Sequence, residues 1–591
     1  MPRLALLVLT ALANGLGGDD DAPDLDSSIT SRDALAQAGI RLLGNPSEAQ
    51  QRKGISYFER ALADWATPRP YSMDEAQGRM LAMWTGRWYH ERGEYESARR
   101  FIDLAATSRL PGDCAALQKA TLRNALAAHA STAQDAEAWL RDGRALTHSL
   151  LRRDLDLRGV QDPANDHYVY CLLSSFYLET LYEADWRASA RDHYELAVKA
   201  WPALKYTNIK RVKRELPRKI LRVGVVSAFL HVSNSVMRDF GGTLARLPKE
   251  KFALYLIYLS EQGLPVSPAC KTWAATARIE EVYNEKTLVD GVPTWLSTTR
   301  KKIVEMELDL ILYLDLTMST MAHRLAMSRL APVQVTSHGH PVTSGIGTID
   351  YYVSWGAAEI DSAADHYTEE LVLLPSEDMH QYHDPVLIEG KSTVTHHKVP
   401  NGSREALFPS ITGRRWYVCM QKPFKLHARF GDMLRKVLDA DPEGVIILHA
   451  GADRDWGLGD RVVYLDPLPH HELLALYREA DVVLDSYYAG GCTTTREAFE
   501  MGAVVVTLPA KYLGGRWTLA FYQILGIKEA VAADEDDYAR LAALIGRDDD
   551  LRDSIKAKIA ANLHKMWRST RAVDHWTDVL LRLGRRDRSE L

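Results

Sequence analysis

The sequence predicts two doubly wound α/β domains facing a cleft, preceded by an α-helical region. Three observations carry this. Residues 30 to 215 are rich in Ala, Leu, Arg and Glu and poor in β-branched residues, the texture of helices. From about residue 216, short β-rich runs ("ILRVGVVSAF", "FALYLIYLS", "LDLILYLDL", "PVQVTSHGH", "YYVSWG", "ELVLLP") alternate with helical stretches. A second set follows: "WYVCMQK", "GVIILHA", "RVVYLDPL", "ADVVLDSYY", "AVVVTLP" and "EAVAADE". Continuous apolar runs separated by helices indicate parallel sheets covered on both faces.

The chain divides accordingly into 1–29, 30–215, 216–395, 396–565 and 566–591. Its 591 residues exceed what one core can bury. The first segment, "MPRLALLVLTALANGLGG", has Arg3, an apolar run and small residues, the outline of a secretory signal peptide or of a mildly apolar leader, and an acidic linker follows. In 30–215, "GRWYHERGEYESARRFIDLAATSRLP" sets Gly86, Tyr89, Ala98, Ile102 and Ala105 at tetratricopeptide spacing. "SARDHYELAVKAWP" repeats its second half with Ala190, Tyr194, Ala197 and Pro202, and "GISYFERALADWATP" does so around Gly54, Phe58 and Ala61. Stacked helix pairs of this kind form an extended concave surface for a polypeptide partner. The tail from 551 reads as amphipathic helices with a basic end.

Composition excludes several classes. A hydrophobic content of 46% with 25% charged residues is that of a globular protein, and a net charge of −6 lacks the basic stripe of a nucleic-acid binder. No run has the roughly 18 to 20 apolar residues that span a bilayer. The five cysteines (114, 171, 270, 419 and 492) form no C-x-x-C pair, so neither a zinc site nor a disulfide framework is indicated. A reducing compartment fits, cytoplasmic or nucleocytoplasmic, with the secretory route as the alternative if the leader is a signal. P-loop, dinucleotide, zincin and α/β-hydrolase signatures are missing from the sequence.

Ligands of doubly wound sheets bind beyond the carboxyl ends of the strands. There, "YAGGCTTTREAFEMG" turns from strand into helix. Gly490 and Gly491 permit close approach, and the amides beside Cys492 together with the hydroxyls of Thr493 and Thr494 suit a diphosphate. Glu497, one turn in, would reach a sugar hydroxyl or else close a capping box with a threonine. In "YVCMQKPFKLHARF", Gln421 is placed to pair with a base edge or hydroxyl, and Lys425 offers a point charge for phosphate. The acidic clusters "GDDDAP" and "RDDDLR" read as polar loops rather than metal ligands.

"APVQVTSHGHPVTSGIGTIDYYVSW…HYTEELVLLP", "CMQKPFKLHARF" and "LDSYYAGGCTTTREAFEMGAVVVTLP" resemble, in that order along the chain, the catalytic region of the O-GlcNAc transferase family, which includes Spindly-type O-fucosyltransferases and bacterial N-glucosyltransferases. The resemblance runs from about Arg222 to Gly526. It implies a GT-B fold and a metal-independent, cofactor-free transfer of sugar, with inversion, from a nucleotide sugar to an acceptor protein held by the helical repeats. Transfer of GlcNAc from UDP-GlcNAc to Ser or Thr leads; fucose from GDP-fucose, glucose transfer to Asn, and a nucleotide-sugar-binding scaffold are the alternatives. It further implies that Gln421, Lys425, Thr493, Thr494 and Glu497 hold the donor. Cys492 stands where animal members have histidine, and "LPHHELLALYREADVV" departs from their matching helix. His231, in "VVSAFLHVSNSVMRDF", and His340, in "SHGHPVTSG", fall where the family carries histidines near the reaction centre; either imidazole is a candidate base or hydroxyl-positioning group.

Overall fold

The structure is a computed structural model. It describes residues 218–585 apart from short gaps (232–233, 260–265, 271–277, 283–287, 290–291, 451 and 453–455), the segments 48–62, 132–155 and 186–207, and scattered positions between 35 and 127. The leader expected over 1–29, and Ala98, Ile102, Ala105 and Pro111 of the repeat pattern, lie outside the described residues.

Three helices are described in full in the N-terminal region: α1 (Glu48–Leu62), α2 (Ala133–Leu151) and α3 (Trp186–Ala200). Phe58 of α1 is fully buried in one cluster with Trp88 and Tyr89, and the Tyr89 hydroxyl donates to Glu59 at 2.8 Å. In α3 the small residues Ala190 and Ala197 are buried, as close helix packing requires, and Pro202 opens a single 3-10 turn. Helix α3 also touches the α/β region. Trp186 and Ala190 share a small core with Ala489, so the helical region packs on the turn that the sequence singles out.

The first α/β unit contains β1 (Leu221–Ser227), α4 (Ser235–Leu244), β2 (Phe252–Leu259), β3 (Arg278–Val282), α5 (Thr294–Glu305), β4 (Leu310–Tyr313), α6 (Thr320–Ala326), β5 (Val333–Ser337), β6 (Tyr351–Trp355) and β7 (Glu370–Leu374). Its seven strands are all parallel in the order β3-β2-β1-β4-β5-β6-β7. The second contains β8 (Arg415–Cys419), α7 (Ala428–Ala440), β9 (Gly444–His449), β10 (Val462–Leu465), α8 (His470–Glu479), β11 (Val482–Leu484), α9 (Thr493–Glu500) and β12 (Val505–Val506), then helices α10 (Trp517–Leu525), α11 (Glu535–Arg547) and α12 (Asp549–Asn562). Its five strands run parallel in the order β10-β9-β8-β11-β12. Both sheets reverse their winding beside their first strand, at β1/β4 and at β8/β11. That switch point is where a doubly wound sheet opens a crevice.

The last helix, α13 (Thr570–Arg585), returns to the first unit. Trp576 is buried and its indole donates to the His380 carbonyl at 2.9 Å, while Gly584 lies so close to Leu221 that a Cβ would stand 2.7 Å from it. Two local expectations are corrected. "EAVAADE" is no strand; it meets the sheet only at the bridge Thr507–Val531 before Asp534 caps α11. "RDDDLR" is no loop: Asp548 caps α12, and Asp549 and Asp550 sit in its first turn, where carboxylates offset the helix dipole.

Candidate active site

The cavity between the two units measures about 430 Å³. It is lined by Gln421 and Lys425, which follow β8, by Gly490, Cys492, Thr493, Thr494 and Glu497, which follow β11, and by His340 and Arg238 from the first unit. Because β8 and β11 are neighbours across the switch point, the segments beyond their carboxyl ends converge although Gln421 and Thr494 lie 73 residues apart in sequence. The contact is direct: the Gln421 amide donates to the Thr494 hydroxyl at 2.8 Å.

The glycines of the turn answer to close approach rather than to backbone sign. Neither has a left-handed φ; that conformation falls on Tyr488, at φ 71°. A Cβ on Gly490 would stand 3.0 Å from the Asp485 carboxylate, and one on Gly491 would stand 2.6 Å from both the Thr494 and Thr495 hydroxyls. Asp485 accepts from the Gly491 amide at 2.7 Å and from the Thr507 hydroxyl at 2.8 Å, which fixes the turn.

Helix α9 begins at Thr493, with Cys492 as its N-cap and no side-chain capping hydrogen bond. The capping box is therefore not formed. Glu497 turns instead to Arg238 and to His470, whose Nε2 lies 2.8 Å from Oε1. A carboxylate only accepts, so that nitrogen carries the proton and Nδ1 takes the Ser392 hydroxyl at 2.8 Å. Burial alone would raise the Glu497 carboxyl, but Arg238 and His470 outweigh it and hold it below the ordinary range. This carboxylate already has protein partners, a more constrained state than the open ribose contact expected from sequence. Burial pushes the Cys492 thiol up to about 12, so it is a neutral, small lining group rather than a nucleophile.

Lys425 closes a 3-10 turn, Pro423–Lys425. Its half-buried ammonium makes no hydrogen bond or ion pair among the described residues, and burial lowers its pKa against the pull of Cys492 and Asp485. A cation so placed gains from an anion beside it.

The two histidines part company. His340 lines the cavity, 5% exposed, with Nδ1 on the Thr317 hydroxyl, and burial together with Lys425 pushes it down to about 3. It is thus a neutral imidazole near neutral pH, suited to orienting a hydroxyl. His231 follows β1 but packs beside Phe229, outside the cavity lining, and burial lowers its pKa. Sequence reasoning also passed over Arg238, Asp239, His338, His470 and Arg496. Their signal was position, immediately beyond strands or in the first turn of the helix that follows.

Residues 447–570 match the family described as Glycosyl transferase family 41. The chain is 27% identical over 253 residues to a probable UDP-N-acetylglucosamine–peptide N-acetylglucosaminyltransferase SPINDLY of Petunia hybrida, covering 40% of this chain and 26% of that protein. Identity to the protein of the same description from Eustoma exaltatum subsp. russellianum is 28% over 312 residues, 50% of this chain and 32% of the other. A Caenorhabditis elegans UDP-N-acetylglucosamine–peptide N-acetylglucosaminyltransferase is 26% identical over 184 residues, 28% of this chain and 16% of its own. The chain thus spans about a quarter to a third of the plant relatives it matches. Among solved structures, a Thermobaculum terrenum O-GlcNAc transferase mutant superposes with a TM-score of 0.60 at 19% identity, over 95% of this chain and 98% of that one. These likenesses bear out the resemblance to O-GlcNAc transferase and Spindly-type proteins, and the fold is GT-B.

Proposed function

We propose that this relative of the family 41 glycosyltransferases is an inverting protein glycosyltransferase that takes its sugar from a nucleoside-diphosphate sugar held in the interdomain cavity. The donor we favour is UDP-GlcNAc and the acceptor a Ser or Thr hydroxyl, in keeping with the relatives described as UDP-N-acetylglucosamine–peptide transferases. The single observation that carries the reading is the Lys425 ammonium, unpartnered among the described residues, on the wall of a cavity that also receives the N-terminus of α9.

In the reaction, the acceptor oxygen attacks the anomeric carbon as the bond to the diphosphate oxygen breaks, and the acceptor proton leaves to base or solvent. Charge builds on the departing diphosphate. Lys425, the first-turn amides of α9 and the hydroxyls of Thr493 and Thr494 would meet that charge with fixed donors, so no metal is required. Gln421 would hold the nucleoside side, and His340 would orient the acceptor hydroxyl. Helix α3, packed on the turn through Ala489, supports acceptor capture by the helical region.

The test is incubation of the full chain with UDP-GlcNAc, UDP-glucose and GDP-fucose, following nucleotide release and peptide mass shifts. Turnover with one donor, abolished by Lys425→Ala, is the expected result. Nucleotide binding without release from any donor would overturn the transferase reading and leave a nucleotide-sugar-binding scaffold.

A further inference from the structure

We propose that Asp239 and Arg496 are positioning residues that set the spacing of the two domains across the donor cavity. The proposal rests on the transferase reading above. Two consecutive residues of α4, Arg238 and Asp239, face two consecutive residues of α9, Glu497 and Arg496, with charges crossed. Arg238 donates to Glu497, and Arg496 Nη1 donates to Asp239 Oδ1 at 2.8 Å. Asp239, Arg496 and Glu497 are 6%, 3% and 1% exposed, so solvent screens the pairs little. A slip of one residue would set arginine against arginine or aspartate against glutamate, so the arrangement admits one register.

The Asp239–Arg496 pair does more than join two helices. The other oxygen of Asp239 lies 2.7 Å from His338 Nε2, and His338 precedes His340 by two residues in the loop after β5. Arg496 also donates to His383 in the segment linking the domains, and its Nη2 lies 3.4 Å from the Thr493 hydroxyl. A continuous path therefore runs from the His340 loop through His338, Asp239 and Arg496 to Thr493. The far end of α9 is tied to the same linker, where Glu500 accepts from the Val386 and Leu387 amides at 2.7 and 2.9 Å. Asp239, His338 and His380 do bring three potential metal-ligating atoms within 4.8 Å of one another. The Arg496 guanidinium already neutralises that carboxylate, and a divalent ion there would face its positive charge, so the cluster reads as a hydrogen-bonded link between domains rather than as an ion site.

The variants Arg496→Met, Asp239→Asn and their double test this in the full chain, with kcat and donor KM from transfer and nucleotide Kd from calorimetry with UDP and GDP. Each single is expected to lower kcat about 30-fold or more while KM and Kd move less than about threefold, and the double to be no worse than the poorer single. Arg496→Lys, which keeps the charge but not the fork, should recover part of kcat. Additive losses, a Kd that weakens in step with kcat, or unchanged kcat would overturn the proposal. If a single variant fails to fold on account of an uncompensated buried charge, the double removes both charges and carries the same test. If the wild type binds nucleotide but transfers nothing, the transferase reading fails by itself. Amide exchange over 235–244 and 493–500 then decides: faster exchange in the double supports the interdomain link, and unchanged exchange overturns it.

Discussion

Lys425 and Gly491 are the two residues on which the site's chemistry can be tested most narrowly. Loss of one preorganised donor to a developing anion typically costs about 10²- to 10³-fold in rate. Lys425→Ala should therefore lower kcat by at least that order in a nucleotide-release assay; a loss below tenfold would remove this ammonium from the mechanism. Gly491→Ala would drive a methyl onto the hydroxyls of Thr494 and Thr495 and toward the Gln421 amide. Donor KM should rise about tenfold or more, because Thr494 and Gln421 line the cavity, and Tm should fall as well, because the Thr495 hydroxyl is buried against Thr518. These residues were legible in sequence because glycine, threonine and lysine beyond strand ends carry their chemistry in their type. The partners of Glu497 were not. Only the tertiary approach of α4 and α8 reveals that Arg238 and His470 claim that carboxylate. His231 follows the first strand as the pattern asks, and the structure sets its ring beside Phe229, outside the cavity lining, a placement that only the tertiary fold reveals.

At the level of elements, runs buried on both faces identified themselves, since β1, β4, β5 and β6 are almost wholly buried. Edge segments did not. "EAVAADE" contains apolar residues but pairs through one bridge, since its alanines offer little packing to a sheet edge. The docking of α3 was also hidden, because it depends on a glycine in a different unit. Gly345, at φ 70°, lies against the α3 backbone, where a Cβ would stand 2.2 Å from the Ala190 carbonyl carbon. Gly345→Ala adds a left-handed penalty of about 1 to 2 kcal/mol to that clash. It should lower Tm by several degrees and speed limited proteolysis within 186–207; equal proteolysis of the two proteins would show that α3 docks by other means.

The molecule as a whole carries histidines that burial keeps neutral. His193, His380 and His383 are held well below their ordinary value chiefly by burial, His323 is pushed down to about 4 and His340 to about 3. The unfolded chain takes up these protons below about 6.5 while the folded chain does not, so this contribution is complete above that pH and declines as pH falls toward 3 to 4. Asp239, held well below its range as Arg496 and His338 outweigh its burial, adds a loss of the same sign at lower pH. Asp485, Glu359 and Glu500, raised by burial, act in the opposite sense but are fewer. Calorimetric Tm should fall between pH 7.5 and 5; a Tm that holds or rises would mean that the buried carboxyls dominate.

Two winding reversals, one per sheet, turn a pair of ordinary α/β units into a cavity with an anion-ready helix on one wall and, beside it, an ammonium without a partner among the described residues. The most direct test is a crystal structure of the full chain with UDP. The diphosphate should lie on the amides and hydroxyls of residues 492–494, with the Lys425 ammonium in hydrogen-bond contact. A nucleotide bound elsewhere, or a diphosphate that leaves Lys425 in solvent, would contradict the account.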